Sequence, residues 1–315
     1  MSDSRITKKK KKRRKLRYKR IFLLLFLIII LGGAGYAGAQ YYQGLHSAKT
    51  SEALNTDNIK FNGTKDANGR INILLLGIDT RGEKQSRTDT MMIAQIDPKT
   101  HKVKLVSLMR DMYVEIPGYD NYKLNTAYFL GGPELLRQTI KHNFDIDIQY
   151  YALVDFKSFV KVVDTLAPEG IKINVEHEMS KNIGMTLHPG LQTMHGKQLL
   201  AYARFRKDAE GDFGRVRRQQ TVLKALEKEA ISVNGFAKAP KLLGTIQPYI
   251  ATNMSKMDIL GLVKDVLMGG TPDVKTLTVP VAGSYSNATY PGKGAVLDVD
   301  TEKNTEAIKS FLNEN

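Results

Sequence analysis

The chain contains no cysteine and no tryptophan, and only six histidines occur in its 315 residues. Without cysteine there is no disulfide framework and no thiol nucleophile. His142, His177, His188 and His195 lack the spacing of zinc ligands. The sequence also has no glycine-rich Walker loop and no Ser/His/Asp set for nucleophilic catalysis. Carboxylates and guanidinium groups are therefore the side chains that could carry chemistry.

Positive charge is concentrated in the first 20 residues, although the whole chain has a net charge of +15. This segment holds twelve Lys or Arg and one Asp, so the remaining residues carry only about +4. Strong basicity confined to a tail is a property of that tail and not of the fold. We therefore expect no nucleic-acid partner for the folded part of the chain.

An apolar run follows the basic tail directly and extends from Ile21 to Tyr42, with no charged side chain before Lys49. A helix of roughly 20 residues spans a ~30 Å hydrocarbon core, which predicts a transmembrane signal-anchor at residues 21–42. The positive-inside rule then makes this a single-pass type II protein of the cell membrane with an extracellular domain. The alternative is a signal peptide cleaved at Ala37-Gly38-Ala39.

Composition and periodicity divide the chain into five regions. These are a cytoplasmic tail at 1–20, the anchor at 21–42, a polar stalk at 43–70, a catalytic α/β core at 71–230, and 231–315, which completes the same domain. Strands are predicted at Ile71–Gly77, Met91–Asp97, Val103–Ser107, Tyr150–Val154, Ile171–Val175 and Val274–Val279. Helices are predicted at Pro133–His142, after Asp155, and at Gly196–Phe205, Phe213–Ala230 and Thr301–Leu312. Residues 122–132 and the Gly/Pro/Ser-rich stretch after Val279 are predicted as loops.

Two aspartates lie at the ends of the first two predicted strands. Asp79 follows Leu76-Gly77, and Asp89 precedes the strand that begins near Met91. The carboxyl edge of an α/β sheet is where ligands commonly bind, and carboxylates with phosphate oxygens and water are the usual ligands of Mg²⁺. Asp79 and Asp89 are thus candidates for a Mg²⁺ site. The competing interpretation is that each caps a turn or pairs with a neighbouring arginine.

Arginines dominate the densest cationic region outside the tail, between Arg204 and Arg218. On a helix, Asp212, Arg215 and Gln219 share one face, and Arg218 lies beside them. Several guanidinium groups near a helix N-terminus are typical of a site for a multiply charged anion. The alternative is a solvated charged face. With the two aspartates, this cluster outlines phosphoryl transfer by a metal and an arginine clamp.

Six motifs, in order, resemble those of the LytR-CpsA-Psr family of cell-wall glycopolymer transferases. They are Gly77-Ile78-Asp79-Thr80-Arg81, Arg87-Thr88-Asp89, Ser107-Leu108-Met109-Arg110-Asp111, Lys123-Leu124-Asn125-Thr126-Ala127-Tyr128 with Gly131-Gly132, Tyr202-Ala203-Arg204-Phe205-Arg206, and Gly211-Asp212-Phe213-Gly214-Arg215 with Arg218-Gln219. They span about half of the chain, and a basic tail with one anchor is the family's usual layout. One departure is Met109, which stands where the family usually has proline, while Arg110 is kept.

The resemblance implies a mixed central β-sheet sandwiched by helices that enclose an apolar tunnel for a polyprenyl chain. It also implies a phosphotransferase that uses Mg²⁺. The enzyme would move an undecaprenyl-pyrophosphate-linked glycopolymer, such as wall teichoic acid or capsule, onto a peptidoglycan hydroxyl. The expected partners are therefore this lipid-linked glycopolymer, peptidoglycan and the membrane.

The resemblance and the charge pattern together give the expected site. The expected catalytic residues are Asp79, Asp89 and Arg110, of which Asp79 and Asp89 hold the metal. The expected pyrophosphate-binding residues are Arg81, Arg87, Arg110, Lys123, Asn125, Arg204, Arg206, Asp212, Arg215, Arg218 and Gln219.

Three other functions are compatible with parts of this pattern. A lipid-pyrophosphate hydrolase would use the same metal and arginines, with water as the nucleophile. A transcriptional attenuator or regulator would use the cationic tail on nucleic acid, but the apolar run places the folded domain across the membrane from it. A wall-binding module would use the same surface without catalysis.

Overall fold

The computed structural model describes residues 35–46, 59–79, 88–231, 240–241, 243–245, 247–268 and 274–314. Its strands are β1 (Ile71–Ile78), β2 (Thr88–Ile96), β3 (Val103–Leu108), β4 (Met112–Val114), β5 (Tyr122–Lys123), β6 (Tyr150–Asp155), β7 (Ile171–Val175), β8 (Gly190–Met194), β9 (Ala251–Thr252), β10 (Lys275–Val279), β11 (Tyr285–Tyr290) and β12 (Gly294–Val299). Its helices are α1 (residues 35–46), α2 (Leu124–Phe144), α3 (Phe156–Leu166), α4 (Gly196–Arg204), α5 (Gly211–Ile231), α6 (Lys256–Met268) and α7 (Thr301–Asn313), with a 3-10 turn at Gln247–Tyr249.

A six-stranded mixed sheet organises the domain, in the order β10-β3-β2-β1-β6-β9. β1 runs antiparallel to β2 and parallel to β6, so it is an interior strand, as its continuous apolar sequence predicts. A four-stranded sheet, β11-β12-β4-β5, and the hairpin β7-β8 complete the strands of the described residues. The expectation of a mixed α/β fold is confirmed.

One face of the six-stranded sheet is closely packed. Leu74 and Ile93 from the sheet join Leu136 and Phe144 of α2 and Ile308 of α7 in one buried cluster. Each of these side chains is fully removed from solvent. This face supplies most of the apolar burial, which is the main favourable term in folding.

The opposite face carries α3, α4 and α5, and these helices make a second apolar cluster. Val163 of α3, Tyr202 of α4 and Val222 of α5 pack there with strands β7 and β8. Met92 of the sheet packs with Leu223 of α5. The helices cover the sheet without filling all of the space above it, and the cavity described below lies in the space that remains.

Helix α2 corrects the prediction of a loop at residues 122–132, because it begins at Leu124. The backbone leaves the helical conformation at Gly131 and at Gly132, whose φ of +63° favours glycine. Pro133 then opens the second segment, where the sequence predicts a helix start. The loop signals in the sequence thus mark a kink inside one helix.

Strands β11 and β12 correct the prediction of a Gly/Pro/Ser-rich loop after Val279. They form an antiparallel hairpin whose turn contains Pro291, with Gly292 at φ +71° and Gly294 at φ +72°. The glycines that indicated a loop are those that a tight turn requires.

The segment before the core also packs on the domain. Thr64 donates its backbone N–H to the Ile148 carbonyl at 2.9 Å, and the Phe61 ring lies 4.9 Å from that of Tyr151. The packed domain therefore begins at least ten residues before β1, inside the range 43–70 that we predicted as a stalk. No helix within the described residues is long and apolar enough to cross a membrane. Residues 21–34 of the predicted anchor lie outside those residues.

Candidate functional site

A β-bulge at the end of β1 and β2 positions the first two aspartates. Gly77 pairs with Thr90 and Ile78 with Thr88, so Asp89 is the extra residue of the bulge. The buried Thr88 hydroxyl donates to the Gly77 carbonyl at 2.9 Å and holds this distortion in place. Asp79 follows Ile78 directly, so both carboxylates lie at the same edge of the sheet.

Arg110 reaches this edge from the neighbouring strand. Backbone hydrogen bonds fix the segment that follows β3: Met109 donates to the Val279 carbonyl at 2.9 Å, and Asn125 donates to the Arg110 carbonyl at 3.2 Å. Arg110 Nη1 then lies 2.5 Å from Asp89 Oδ1. Met109 is buried in the core, so the segment keeps its place without the proline usual in the family.

The start of α5 brings a second arginine to the same point. Arg215 Nη2 donates to Asp212 Oδ2 at 2.7 Å, as the three-residue helical spacing predicts. Arg215 Nη1 also lies 3.9 Å from Asp89 Oδ1, and Arg110 Nε lies 3.7 Å from Asp212 Oδ2. Residues more than 100 positions apart in sequence thus form one ion-pair network.

Burial and charge oppose each other at the two arginines. Burial lowers the pKa of Arg110, but Asp212, Asp89 and Asp111 outweigh it and the pKa is raised. For Arg215 burial prevails and the pKa is lowered, with Arg110 adding to this effect and Asp212 opposing it. Among the described side chains, Nε of both arginines is buried and makes no hydrogen bond. The pair therefore keeps donor capacity that an anion with several oxygens could use.

Arg204 and Arg206 extend the cationic region beyond the end of α4. Arg204 Nη2 lies 3.7 Å from Asp79 Oδ2, and its guanidinium carbon is 4.4 Å from the centre of the Phe156 ring. Arg206 lies close enough to Arg215 to lower its pKa further. Arg204, Arg206 and Gln219 all line the cavity described next.

A cavity of about 690 Å³ lies between the six-stranded sheet and helices α3, α4 and α5. One part of its wall is charged or polar: Asp89, Asp155, Lys181, Asn182, Arg204, Arg206, Arg215 and Gln219. The rest is mostly apolar and includes Leu75, Met92, Phe156, Phe159, Val162, Leu200, Val222, Leu223, Leu226 and Ile250. The change from charged to apolar follows α5 from Arg215 to Leu226, which is about 16 Å at 1.5 Å per residue.

Six of the expected residues that the structure describes do not line this wall. Asp79, Arg110 and Asp212 are joined to it by ion pairs with Arg204, Asp89 and Arg215. The other three are Lys123, Asn125 and Arg218. Lys123 Nζ pairs with Asp111 Oδ1 at 3.3 Å, which joins it to Arg110 indirectly. Asn125 is buried at the start of α2, and its backbone supports Arg110. Arg218 is fully buried, and it donates to Asp208 Oδ2 at 2.8 Å and to the Phe205 carbonyl at 2.9 Å. It supports the start of α5, so these contacts suit a positioning role better than direct contact with pyrophosphate. Arg81 and Arg87 lie outside the described residues.

Several wall residues were not predicted from the sequence. Asp155 ends β6, which runs parallel to β1 with Asp155 opposite Ile78, and its carboxylate accepts the Ser158 N–H at 2.7 Å as the cap of α3. An aspartate directly after an apolar strand is a signal for a site residue. The predicted role of Asp155 as a helix cap already explained that position, so the sequence offered no separate reason to include it. Lys181 and Asn182 lie in a loop with no motif, so only the fold identifies them as part of the wall.

The donor set at the sheet edge is compatible with Mg²⁺. The described part of the chain has no cluster of three or more carboxylate, imidazole or thiolate ligands. Mg²⁺ in phosphoryl-transfer sites is commonly held by only one or two carboxylates together with substrate phosphates and water. Asp79 and Asp89 supply two such carboxylates. Asp79 pairs with Arg204 and Asp89 with Arg110, and both arginines could bind phosphate oxygens instead.

Fold and site together define a class: an α/β domain whose cationic cluster opens into an apolar cavity, which suits an anion attached to a hydrocarbon chain. The model of the LytR_cpsA_psr family matches residues 35–308. The chain belongs to this family, as its motifs indicate.

Similarity to individual proteins supports the assignment to this family. Regulatory protein MsrR of Staphylococcus aureus (strain COL) is 46% identical over 274 residues, which is 87% of this chain and 84% of that protein. Polyisoprenyl-teichoic acid--peptidoglycan teichoic acid transferase TagU of Oceanobacillus iheyensis is 34% identical over 233 residues, 72% and 71% of the two chains. The solved structure of TagT bound to LI-WTA superposes with a TM-score of 0.63 at 26% identity, covering 85% of this chain and 98% of that one. The expected enzyme class, a transferase, is confirmed by this kinship.

Proposed function

We propose that this protein is a membrane-anchored phosphotransferase that moves a glycopolymer from undecaprenyl pyrophosphate to a peptidoglycan hydroxyl. The observation that carries the proposal is the junction of an arginine–aspartate network with an apolar cavity. A polyprenyl diphosphate has the matching shape: a multiply charged head joined to a long apolar chain. The names of TagU and of the TagT complex support a cell-wall glycopolymer as the group transferred.

The arginines bind the diphosphate in this mechanism. Arg110 and Arg215 exchange their carboxylate partners for phosphate oxygens, and Arg204 and Arg206 hold the outer phosphate from the end of α4. Loss of the arginine pairs frees Asp79 and Asp89 to act as ligands of Mg²⁺. That ion would neutralise charge on the phosphoryl group being transferred.

The transfer replaces the phosphoanhydride bond of the donor with a phosphodiester bond to the acceptor. The acceptor hydroxyl oxygen attacks the phosphorus atom that carries the glycopolymer, and the bond from that phosphorus to the bridging oxygen breaks. The electron pair leaves with undecaprenyl phosphate, and the hydroxyl proton passes to a carboxylate of the network. Arg110 and Arg215 stabilise the charge that develops on the transferred phosphoryl oxygens, which is the main role of preorganised donors in such reactions.

The basic tail and the apolar run support anchoring with the domain outside the cytoplasm. In that arrangement the folded domain with its apolar cavity is tied to the membrane that holds the lipid-linked donor. A C-terminal reporter tests the topology: activity only outside the cytoplasm is expected, and activity only in the cytoplasm would contradict the proposal. That opposite result would favour a regulator, as the name of the relative MsrR suggests.

A transfer assay tests the chemistry. Purified protein is incubated with a lipid-pyrophosphate-linked sugar and peptidoglycan oligomers, and both conjugate and free sugar phosphate are measured. Asp89→Ala and Arg110→Ala are each expected to lower conjugate formation by about 100-fold or more, because they remove groups that act on the diphosphate. Arg217→Ala is the control, since Arg217 pairs with Glu176 and Glu210 away from the cavity.

The products separate the alternatives. Free sugar phosphate without conjugate would favour the lipid-pyrophosphate hydrolase. Full conjugate formation by both site variants would favour a non-catalytic binding module. Circular dichroism spectra and unfolding temperatures of the variants show whether lost activity reflects lost structure.

A further inference from the structure

Exposed apolar side chains gather on two elements that contact each other, α1 and α6. Tyr36 and Tyr42 on α1 are 64% and 66% exposed, and Met257 and Leu260 on α6 are 76% and 50% exposed. The other strongly exposed large apolar side chains of the described residues, Tyr119, Leu130 and Leu191, lie on separate elements. We call the four residues of α1 and α6 the α1–α6 surface. Exposed apolar side chains on adjoining elements are typical of a contact with another protein or a membrane.

Close backbone packing fixes α1 against the domain. A methyl group on Gly44 would overlap the Lys241 carbonyl, and one on Gly244 would overlap the Tyr41 carbonyl. Only glycine allows the two backbones to approach this closely. The Tyr41 hydroxyl also donates to Gln247, and Lys256 Nζ, at the start of α6, lies 5.7 Å from the centre of the Tyr41 ring. The first turn of α6 is therefore held beside the middle of α1.

The chain that precedes α1 indicates what this surface faces. The predicted anchor, residues 21–42, overlaps α1 over residues 35–42. Tyr41 is the last but one residue of that anchor, at the end where the chain leaves the bilayer. Since Lys256 lies over Tyr41, the start of α6 must lie within a short distance of the membrane that the run enters. Tyrosine, lysine and long apolar side chains are those enriched at that depth.

We propose that the α1–α6 surface is a membrane-contact site that inserts into the head-group region of a phospholipid bilayer. The inference rests on the anchoring in the proposed function and goes beyond it, because an anchor alone allows the domain to stand away from the membrane. Contact through α6 fixes the orientation of the domain. The turn that contacts Tyr41 leads within three residues to Ile250 in the cavity wall, so the contact holds the cavity next to the bilayer.

The absence of cysteine makes site-specific labelling a direct test. Met257→Cys and Leu260→Cys are each labelled with a fluorophore in the full chain, which is reconstituted into vesicles of phosphatidylglycerol and phosphatidylethanolamine with doxyl-labelled lipid as quencher. Leu191→Cys is the matched control, because Leu191 is 69% exposed and lies on β8, which pairs with β7. Ile28→Cys reports on the anchor itself.

We expect strong quenching at positions 28, 257 and 260, with quenching at 257 and 260 at least twice that at 191. Quenching at 28 with no excess at 257 and 260 over 191 would overturn the membrane-contact site and leave the anchor intact. No quenching at position 28 would contradict the anchoring, and the contact site would fail with it.

A functional readout complements the labelling. The double variant Met257→Glu, Leu260→Glu is expected to lower transfer from a donor embedded in vesicles several-fold, since charge opposes insertion into the head-group region. Transfer from the same donor dissolved in detergent should keep its rate. An equal loss in both media, or no loss in vesicles, would overturn the contact site.

Discussion

At the scale of single residues, Arg110 has three carboxylate neighbours and donates a hydrogen bond to one of them, Asp89. Asp89, Asp111 and Asp212 all lie within 4 Å of its guanidinium nitrogens. A buried cation with alternative anionic partners can release one of them when a stronger anion arrives, because little net charge has to be created. This exchange is the physical basis of diphosphate binding in our account.

Arg206 provides a residue-scale test, since it lines the cavity. Arg206→Gln should weaken binding of a prenyl diphosphate by about 10- to 100-fold, the range for loss of a hydrogen bond between charged groups. Calorimetric titration measures the effect. Arg217→Gln, on the outer side of α5, should leave the affinity unchanged; an equal loss in both variants would indicate a general charge effect instead of a specific contact.

Which residues share a helix face could be read from the sequence, but how deep each one lies could not. The spacing of Asp212 and Arg215 correctly predicts their contact. The same reasoning placed Arg218 at the pyrophosphate, whereas its side chain is buried against Asp208 and Phe205. Depth depends on which strands and loops cover the helix, and periodicity along one helix carries no information about them.

At the scale of elements, the start of α5 is held by Asp208. Its carboxylate accepts the Gly211 N–H at 2.9 Å and the Arg218 guanidinium at 2.8 Å. Burial raises the pKa of Asp208, but the hydrogen bond from Arg218 outweighs it and the pKa is lowered. Because Arg215 lies on the next turn, this anchor also sets the position of the diphosphate site.

Asp208→Asn should lower the free energy of unfolding by about 3 kcal/mol, because it leaves Arg218 buried without a counter-charge. Urea unfolding at pH 7 measures this. Glu210→Gln is the control: its pair with Arg217 is half exposed, so a loss below about 1 kcal/mol is expected. Similar losses in the two variants would contradict the role given to Asp208.

The same pair predicts a pH dependence. A carboxyl group whose pKa is lowered on folding stabilises the protein above its unfolded pKa, and that contribution disappears as the pH falls through the folded value. The difference in stability between wild type and Asp208→Asn should therefore persist from pH 7 to about 5, with His177 Nε2, 3.6 Å from Asp208 Oδ2, adding to it when protonated. It should shrink below the ordinary pKa of 3.8. Unfolding curves at pH 7, 5 and 3 test this, and a difference that is larger at pH 3 than at pH 5 would contradict it.

Whether a segment forms a helix or a strand was easier to predict than its first and last residues. β7 runs from Ile171 to Val175 as predicted, because alternating burial fixes a strand well. The first segment of α2 and the β11–β12 hairpin were missed, because glycine and proline act as signals for kinks and tight turns as well as for loops. The local sequence does not say which of these the tertiary contacts will select.

At the scale of the whole molecule, the cavity is the space that remains between the six-stranded sheet and helices α3, α4 and α5. The sequence motifs place the charged residues in order and identify the family. The volume between the layers depends on how far the helices stand from the sheet, and nothing in the motifs encodes that distance. The apolar wall from Val222 to Leu226 is therefore a result of the fold.

Leu226→Gln tests whether that wall binds the hydrocarbon chain. We expect about tenfold weaker binding of farnesyl pyrophosphate, since a polar group replaces apolar contact, and unchanged binding of inorganic pyrophosphate. Leu191→Gln on the outer surface serves as the control. A loss for both ligands would mean that the substitution disturbs the cationic end, and a loss for neither would exclude this wall as the chain's site.

The central claim is that one diphosphate is held where the acids of β1 and β2 meet the arginines of α5 and of the segment after β3. A crystal structure of the protein with farnesyl pyrophosphate and Mg²⁺ is the most direct measurement. Our account predicts phosphate oxygens within hydrogen-bonding distance of Arg110 and Arg215, with the prenyl chain along Val222 and Leu226. A diphosphate bound elsewhere, or a cavity that stays empty at saturating ligand, would contradict it.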